Sequence, residues 1–306
     1  MPNIIKSNIL IGSLFAVAAT ILWSGNFIVA RGIAKEIPPF GLAFYRWSTA
    51  LLIIFPFAIK KFLAEWRMIK QNWLQITSSA VTGIAVFNTC LYIAGHHSTA
   101  INIALLGTTT SPVVSILLAR TFLKEKISAF GLMGLLLCIL GILFLLSKGS
   151  IETLLAFRFN EGDRWILLAA LSFAIYNVLV KKKSPAISPV SFLFATFLIG
   201  LLILFPFYII EKRIAVPVQW NVHLYAILVY IGLGASVLAF FAWNKAVASL
   251  GAARTSLFGY LIPIFSAIEA VWLLHEEISW VHYVCGAFVI AGLVVANVSF
   301  GTKEKI

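Results

Sequence analysis

Long apolar stretches alternate with short polar ones along the whole chain, at 9–30, 39–59, 73–95, 99–122, 127–147, 164–180, 188–210, 222–246, 251–274 and 278–300. Each is close to the ~20 residues that a helix needs to cross a bilayer. The pattern therefore predicts ten transmembrane helices and an all-α, polytopic membrane protein. The connections are too short to hold a soluble domain. The longest, 148–163, carries Glu152, Arg158 and Glu161 and divides the chain in half.

The halves repeat. At an offset of 151, Gly83 meets Gly234, Pro112 meets Pro263 and Gly141 meets Gly292. The run Leu123-Lys124-Glu125-Lys126-Ile127-Ser128 likewise meets Leu274-His275-Glu276-Glu277-Ile278-Ser279, and Asn26 meets Asn177. At an offset of 150, Pro39 meets Pro189 and Phe55-Pro56-Phe57 meets Phe205-Pro206-Phe207. The domains expected are a first five-helix repeat over 1–150 and a second over 151–306. Five is odd, so the second repeat enters the membrane upside down. Inverted repeats of this kind recur in secondary transporters, with the substrate site near the midplane between them.

Charge supports that arrangement. The 306 residues carry a formal charge of +12, yet the basic residues are scattered between apolar stretches. No basic face or nucleic-acid motif is present, so no nucleic-acid partner is expected. With the amino terminus in the cytoplasm, 15 of the 23 Lys and Arg fall in cytoplasmic segments, the triplet Lys181-Lys182-Lys183 among them. Seven fall on the other side and Arg46 lies within a span. The bias predicts both termini inside. The first apolar run continues to Ala30, too long for a signal-peptide core, and is read as a retained span. Hydrophobic residues make up 61% of the chain and charged ones 11%, far from the balance of a soluble domain. Cys90, Cys138 and Cys285 lie in separate apolar stretches and suggest neither a disulfide framework nor a metal site.

Four features together resemble the drug/metabolite transporter superfamily, in particular its EamA-type ten-helix members. They are Trp23-Ser24-Gly25-Asn26-Phe27; Pro39 followed by Tyr45-Arg46-Trp47; Thr110-Ser111-Pro112 leading to Leu123-Lys124-Glu125-Lys126 and Gly131, Gly134 and Gly141; and the second copy around Pro263 and Glu276. The resemblance implies a basket of helices around a central cavity, with the last helix of each repeat (127–147 and 278–300) outside it. It further implies alternating access in the inner membrane of a bacterial cell and export of amino acids and related metabolites, aromatic ones among them. The second repeat departs from the first in having Thr196 opposite Arg46.

Polar groups in an apolar helix need a reason, because burying them is costly. Arg46 is a candidate anchor for a substrate carboxylate. Asn26 and Asn177 are repeat equivalents that can present two amides to one cavity, each able to donate and accept. Tyr92 and Trp243 are also equivalents; with Tyr176 and Tyr260 they are candidates for aromatic walls with a polar edge. Glu269, five residues before the end of its span, is a candidate proton carrier, with His96 at the end of the third span a second. Ala104, Thr108, Ser111 and Ser115 share one face of the fourth span, as do Thr255, Gly259 and Ser266 of the ninth. Small residues on one face suit close packing or a cavity lining.

No phosphate loop, Walker pattern or ligand-spaced cluster of His and acids is present, so no cofactor, metal or enzyme activity is expected. The expected partners are a small-molecule metabolite and the bilayer, and coupling is open between antiport with protons and simple facilitated efflux. A translocase for lipids or lipid-linked sugars is the alternative; it would need cationic cavity residues for a phosphate head, and only Arg46 fits.

Overall fold

A computed structural model describes residues 2–33, 36–98, 100–155, 158–274 and 279–298. The chain is all-helical, with no strand among the described residues. Its long helices are α1 (Pro2–Gly32), α2 (Pro39–Ala64), α3 (Trp73–His97), α4 (Ala100–Phe122), α5 (Ala129–Leu146), α6 (Glu161–Lys181), α7 (Pro189–Ile214), α8 (Val222–Leu250), α9 (252–274) and α10 (Trp280–Val298). Short helices Trp66–Gln71 and Ile151–Leu155 lie in connections.

Among the described residues, seven of these are long and apolar enough to cross a membrane: α1, α2, α3, α5, α6, α7 and α8. The ten spans read from the sequence are thus not all reached by that measure. α10 adds a shorter apolar stretch over Trp280–Ala296, and a 3-10 turn at Phe258–Leu261 interrupts α9.

Capping side chains set the helix starts. Ser128, Ser188 and Asn221 each accept a backbone N–H from the first turn of α5, α7 and α8. Asn160 and Asp163 form a reciprocal capping box at the start of α6. Pro39 and Pro189 begin α2 and α7, where a missing N–H costs nothing. Acids from one half also cap helices of the other. Glu211 accepts from Phe40 N and Gly41 N at 3.2 and 2.6 Å, and Glu65 accepts from Ser188 N at 2.8 Å. Glu125 accepts from Ala252 N and Ala253 N at 3.0 and 3.1 Å, filling the space beside Gly251, whose φ of +89° suits a residue without Cβ. The repeat counterpart, His275-Glu276-Glu277, lies outside the described residues.

The lipid-facing exterior is apolar, as at Leu52, Phe57 and Ile214. Two helices contain wide π turns, Val81–Val86 in α3 and Tyr230–Leu238 in α8, at corresponding places in the two halves. Gly83 sits in the first of them, and a Cβ there would strike the ring of Tyr176. α5 and α10 pack against each other, and a Cβ on Gly134 would collide with Gly292 O. Close backbone approach through small residues is how membrane helices gain contact, since lipid supplies no hydrophobic drive between them.

Candidate functional site

The helices enclose a cavity of about 760 Å³, its opening included. Residues of α1, α2, α3, α4, α6, α8 and α9 line it; among the described residues α5, α7 and α10 contribute none. Most lining positions lie within about two turns of the midpoint of their helix, so the cavity sits midway along the helices. Its walls are largely apolar and aromatic. Trp23 is central, with ring centroids 5.5 Å from Phe173 and 4.9 Å from Trp243, and Phe87 lies 4.6 Å from Phe173.

Arg46 is fully buried and lines this cavity. Its Nε donates to Ser236 Oγ at 2.7 Å, Nη1 to Asn26 Oδ1 at 3.1 Å and to Tyr92 OH at 2.9 Å, and Nη2 to Ala235 O at 2.9 Å. The π turn of α8 supplies two of these acceptors. Ser236 hands its own hydrogen to Ile231 O, and Ala235 O also accepts Trp23 Nε1 at 2.9 Å. Wide turns of this kind recur at functional sites because they free backbone groups. Four of the five guanidinium N–H groups are used, all on neutral partners. No carboxylate bonds to Arg46 among the described residues.

The second half answers with a different bond at equivalent positions. Trp243 Nε1 donates to Asn177 Oδ1 at 2.8 Å, and Asn177 Nδ2 donates to Ser115 Oγ at 3.1 Å. In the first half, Tyr92 and Asn26 are joined through the guanidinium of Arg46 instead. Thr196, opposite Arg46, turns back onto Phe192 O and Leu193 O of its own helix. Indole can donate directly to an amide oxygen, whereas the Tyr92 hydroxyl oxygen and Asn26 Oδ1 both accept here and need a donor between them.

Of the residues singled out from the sequence, Asn26, Arg46, Asn177 and Trp243 meet on the cavity wall. Tyr92 stands behind Arg46 rather than on the wall. Tyr176 is buried against Gly83 with its hydroxyl on Asn244 Oδ1 at 3.0 Å, and Tyr260 is buried with its hydroxyl 3.4 Å from Thr109 O. Thr108, Ser111 and Gly259 line the cavity, while the side chain of Ala104 lies outside the described residues. His96 is exposed at the end of α3. Glu269 is also off the wall and half-buried. Its Oε1 lies 2.7 Å from Ser24 Oγ, and its Oε2 is buried with no partner among the described residues.

Sequence reasoning passed over Trp23 as a wall residue, along with Phe87, Phe173 and Asn88. Asn88 is the informative omission. A buried amide in an apolar span is itself a signal, but its equivalent in the second half is Ala239, so the repeat does not flag it. Its Nδ2 reaches Gly83 O at 3.4 Å, and its Oδ1 has no partner among the described residues. Among the described residues, no group of three or more His, Cys, Asp or Glu could hold a metal ion.

The whole arrangement has relatives. A transporter of Archaeoglobus fulgidus, itself uncharacterised, is 27% identical over 89% of this chain and 92% of its own length. The uncharacterised transporters YyaM and YetK of Bacillus subtilis are 24% and 27% identical, over 94% and 91% of this chain and 95% and 84% of theirs. A solved crystal structure superposes with a TM-score of 0.74 over 96% of this chain and 97% of its own, at 18% identity, a likeness of fold alone. The EamA-like transporter family matches twice, over residues 10–147 and 160–298. With that match running from the first helix to the last around a central cavity, the chain belongs to the EamA-like transporter family.

Proposed function

We propose that the protein exports small organic acids and zwitterions, amino acids above all, across the inner membrane of a bacterial cell. It works by alternating access, through ten spans in two inverted five-helix repeats with both termini cytoplasmic. One observation carries the substrate class: Arg46 lines the cavity as a buried cation with one N–H unused and no acidic partner among the described residues. An unpaired buried charge is costly, and a solute carboxylate relieves that cost. The unpartnered Oδ1 of Asn88 on the same wall offers an acceptor for an ammonium group. Trp23, Phe87, Phe173 and Trp243 offer aromatic faces to an apolar or ring-bearing side chain. The inverted repeat is supported by the paired π turns and by contacts between positions 151 apart.

Counterflow in proteoliposomes tests the reading. Labelled phenylalanine should exchange against unlabelled phenylalanine but not against phenylethylamine, which keeps the ring and ammonium and lacks the carboxylate. Equal exchange against both would overturn the role given to Arg46.

A further inference from the structure

Ser24 Oγ stands between two oxygens, 2.6 Å from Ile21 O and 2.7 Å from Glu269 Oε1. A hydroxyl has one hydrogen, and a backbone carbonyl can only accept. If Ser24 donates to Ile21, the contact with Glu269 needs a hydrogen from the carboxyl. If it donates to Glu269, two lone-pair oxygens face each other at 2.6 Å. Glu269 Oε2 is buried without a partner among the described residues, so an ionised carboxylate would be left with a stranded oxygen. The titratable and charged groups nearby give no relief. From α8, Tyr230 donates its only hydrogen to Leu22 O at 2.9 Å, and from α2, Arg46 bonds to Ser236, Asn26, Tyr92 and Ala235. No Lys, Arg or His bonds to Glu269 among the described residues.

We propose that Glu269 is the proton site of this transporter. In this conformation the carboxyl O–H donates to Ser24 Oγ and the Ser24 O–H donates to Ile21 O. The bound proton thus joins α9 to α1 at a residue that already takes a second bond, from Ser266 Oγ to Ser24 O at 3.1 Å. Both helices line the cavity, through Trp23 and Asn26 on one and Ser256, Gly259 and Ile262 on the other. Release of the proton to bulk water leaves a carboxylate whose Oε2 is buried and unpartnered among the described residues. Parting α9 from α1 admits water and relieves it, so proton occupancy and cavity shape are linked.

The proposal deepens the transport reading and rests on it for the use made of the proton, but proton binding is measured without any substrate. Infrared difference spectra of the protein in lipid nanodiscs, stepped in pH, should show a protonated-carboxyl C=O band that fades as pH rises and is missing in Glu269→Gln. Absence of a titrating carboxyl band, or its persistence in Glu269→Gln, would overturn the assignment. Ser24→Ala keeps the carboxyl and guards against a misfolded first variant. It should change the proton dissociation constant about fivefold, roughly 1 kcal/mol at 1.4 kcal/mol per factor of ten. An unchanged titration would overturn the Ser24 relay. Failure of amino-acid exchange would leave these spectra standing, and the reverse.

Discussion

Cys138 Sγ lies 3.7 Å from the backbone oxygen of Val289, the residue 151 positions further along the chain. Tyr260 OH meets Thr109 O across the same interval. If two halves are related by a two-fold axis, a residue that touches its own counterpart lies on that axis. Pairs off the axis should then occur twice, and they do. Gly134 meets Gly292, and Gly141 meets Cys285, their positions exchanged between the halves. At Gly134, Gly141 and Gly292 this seam between α5 and α10 leaves no room for an added Cβ. Gly134→Leu should therefore destabilise the protein by about 1–3 kcal/mol through overpacking. Gly286→Ala, where an added Cβ meets nothing within 4 Å, should not. Thermal unfolding in detergent separates the two; equal loss would mean that the seam is not tight.

Inversion also predicts which loops face which compartment. Lys126 and Glu277 are repeat equivalents, and an inverted second repeat sends them to opposite sides. A cysteine at position 126 should react with an impermeant maleimide only from the cytoplasm, and one at position 277 only from outside. Labelling of both from the same side would rule the inversion out. Cys90, Cys138 and Cys285 are buried and give little background.

The all-helical, polytopic architecture was legible because lipid imposes a length on every span. Arg46, Asn26, Asn177 and Trp243 were legible for a related reason, as polar or amphipathic groups in apolar helices with a repeat to weigh them against. The facing of the tyrosines was not. In a helix apolar on all sides, periodicity does not say which side meets a cavity. Tyr176 is turned away by the gap that Gly83 leaves, and Tyr92 by the claim of Arg46 on its hydroxyl. The π turns were hidden too, since a widened turn repositions carbonyls without leaving a mark in the hydrophobic pattern.

Arg46 is held by four neutral acceptors, and its charge is left for a ligand. Hydrogen bonds to a charged group are worth about 1.5–3 kcal/mol. Arg46→Gln should thus weaken binding of phenylalanine about tenfold to a hundredfold. Arg46→Lys, which keeps the charge but not the fork, should retain part of it. Equal loss in both variants, with normal insertion and folding, would make the fork structural rather than the charge functional.

Glu65, outside the membrane spans, links pH to stability. Burial pushes its carboxyl up, but hydrogen bonds from the Ser188 amide and the Ser191 and Ser188 hydroxyls, with the nearby Lys61 charge, hold it below its ordinary value of 4.5. A carboxyl depressed in the folded state stabilises above its unfolded value, and that contribution fades as pH falls through the folded one. Glu65→Gln should therefore melt earlier than the parent at pH 7, with the gap closing below about pH 4. A gap that persists in acid would point to packing rather than charge.

Trp243 and Tyr92 occupy equivalent positions, yet only Trp243 lines the cavity. Their replacement should have different signatures. An aromatic contact adds roughly 0.5–1.5 kcal/mol beyond area burial, so Trp243→Ala should weaken an aromatic solute about twofold to tenfold more than leucine. Tyr92→Phe keeps the ring and removes only the hydroxyl that accepts from Arg46. Its effect passes through the guanidinium, so it should weaken phenylalanine and leucine alike, in proportion to their shared carboxylate. Phe130 on α5 is 54% exposed on the outer surface, and Phe130→Ala should alter neither. Competition assays with the two amino acids on all three variants decide the matter. If Tyr92→Phe discriminates between ring and chain, or Trp243→Ala does not, then the aromatic wall is misplaced and selectivity must come from another face of the cavity.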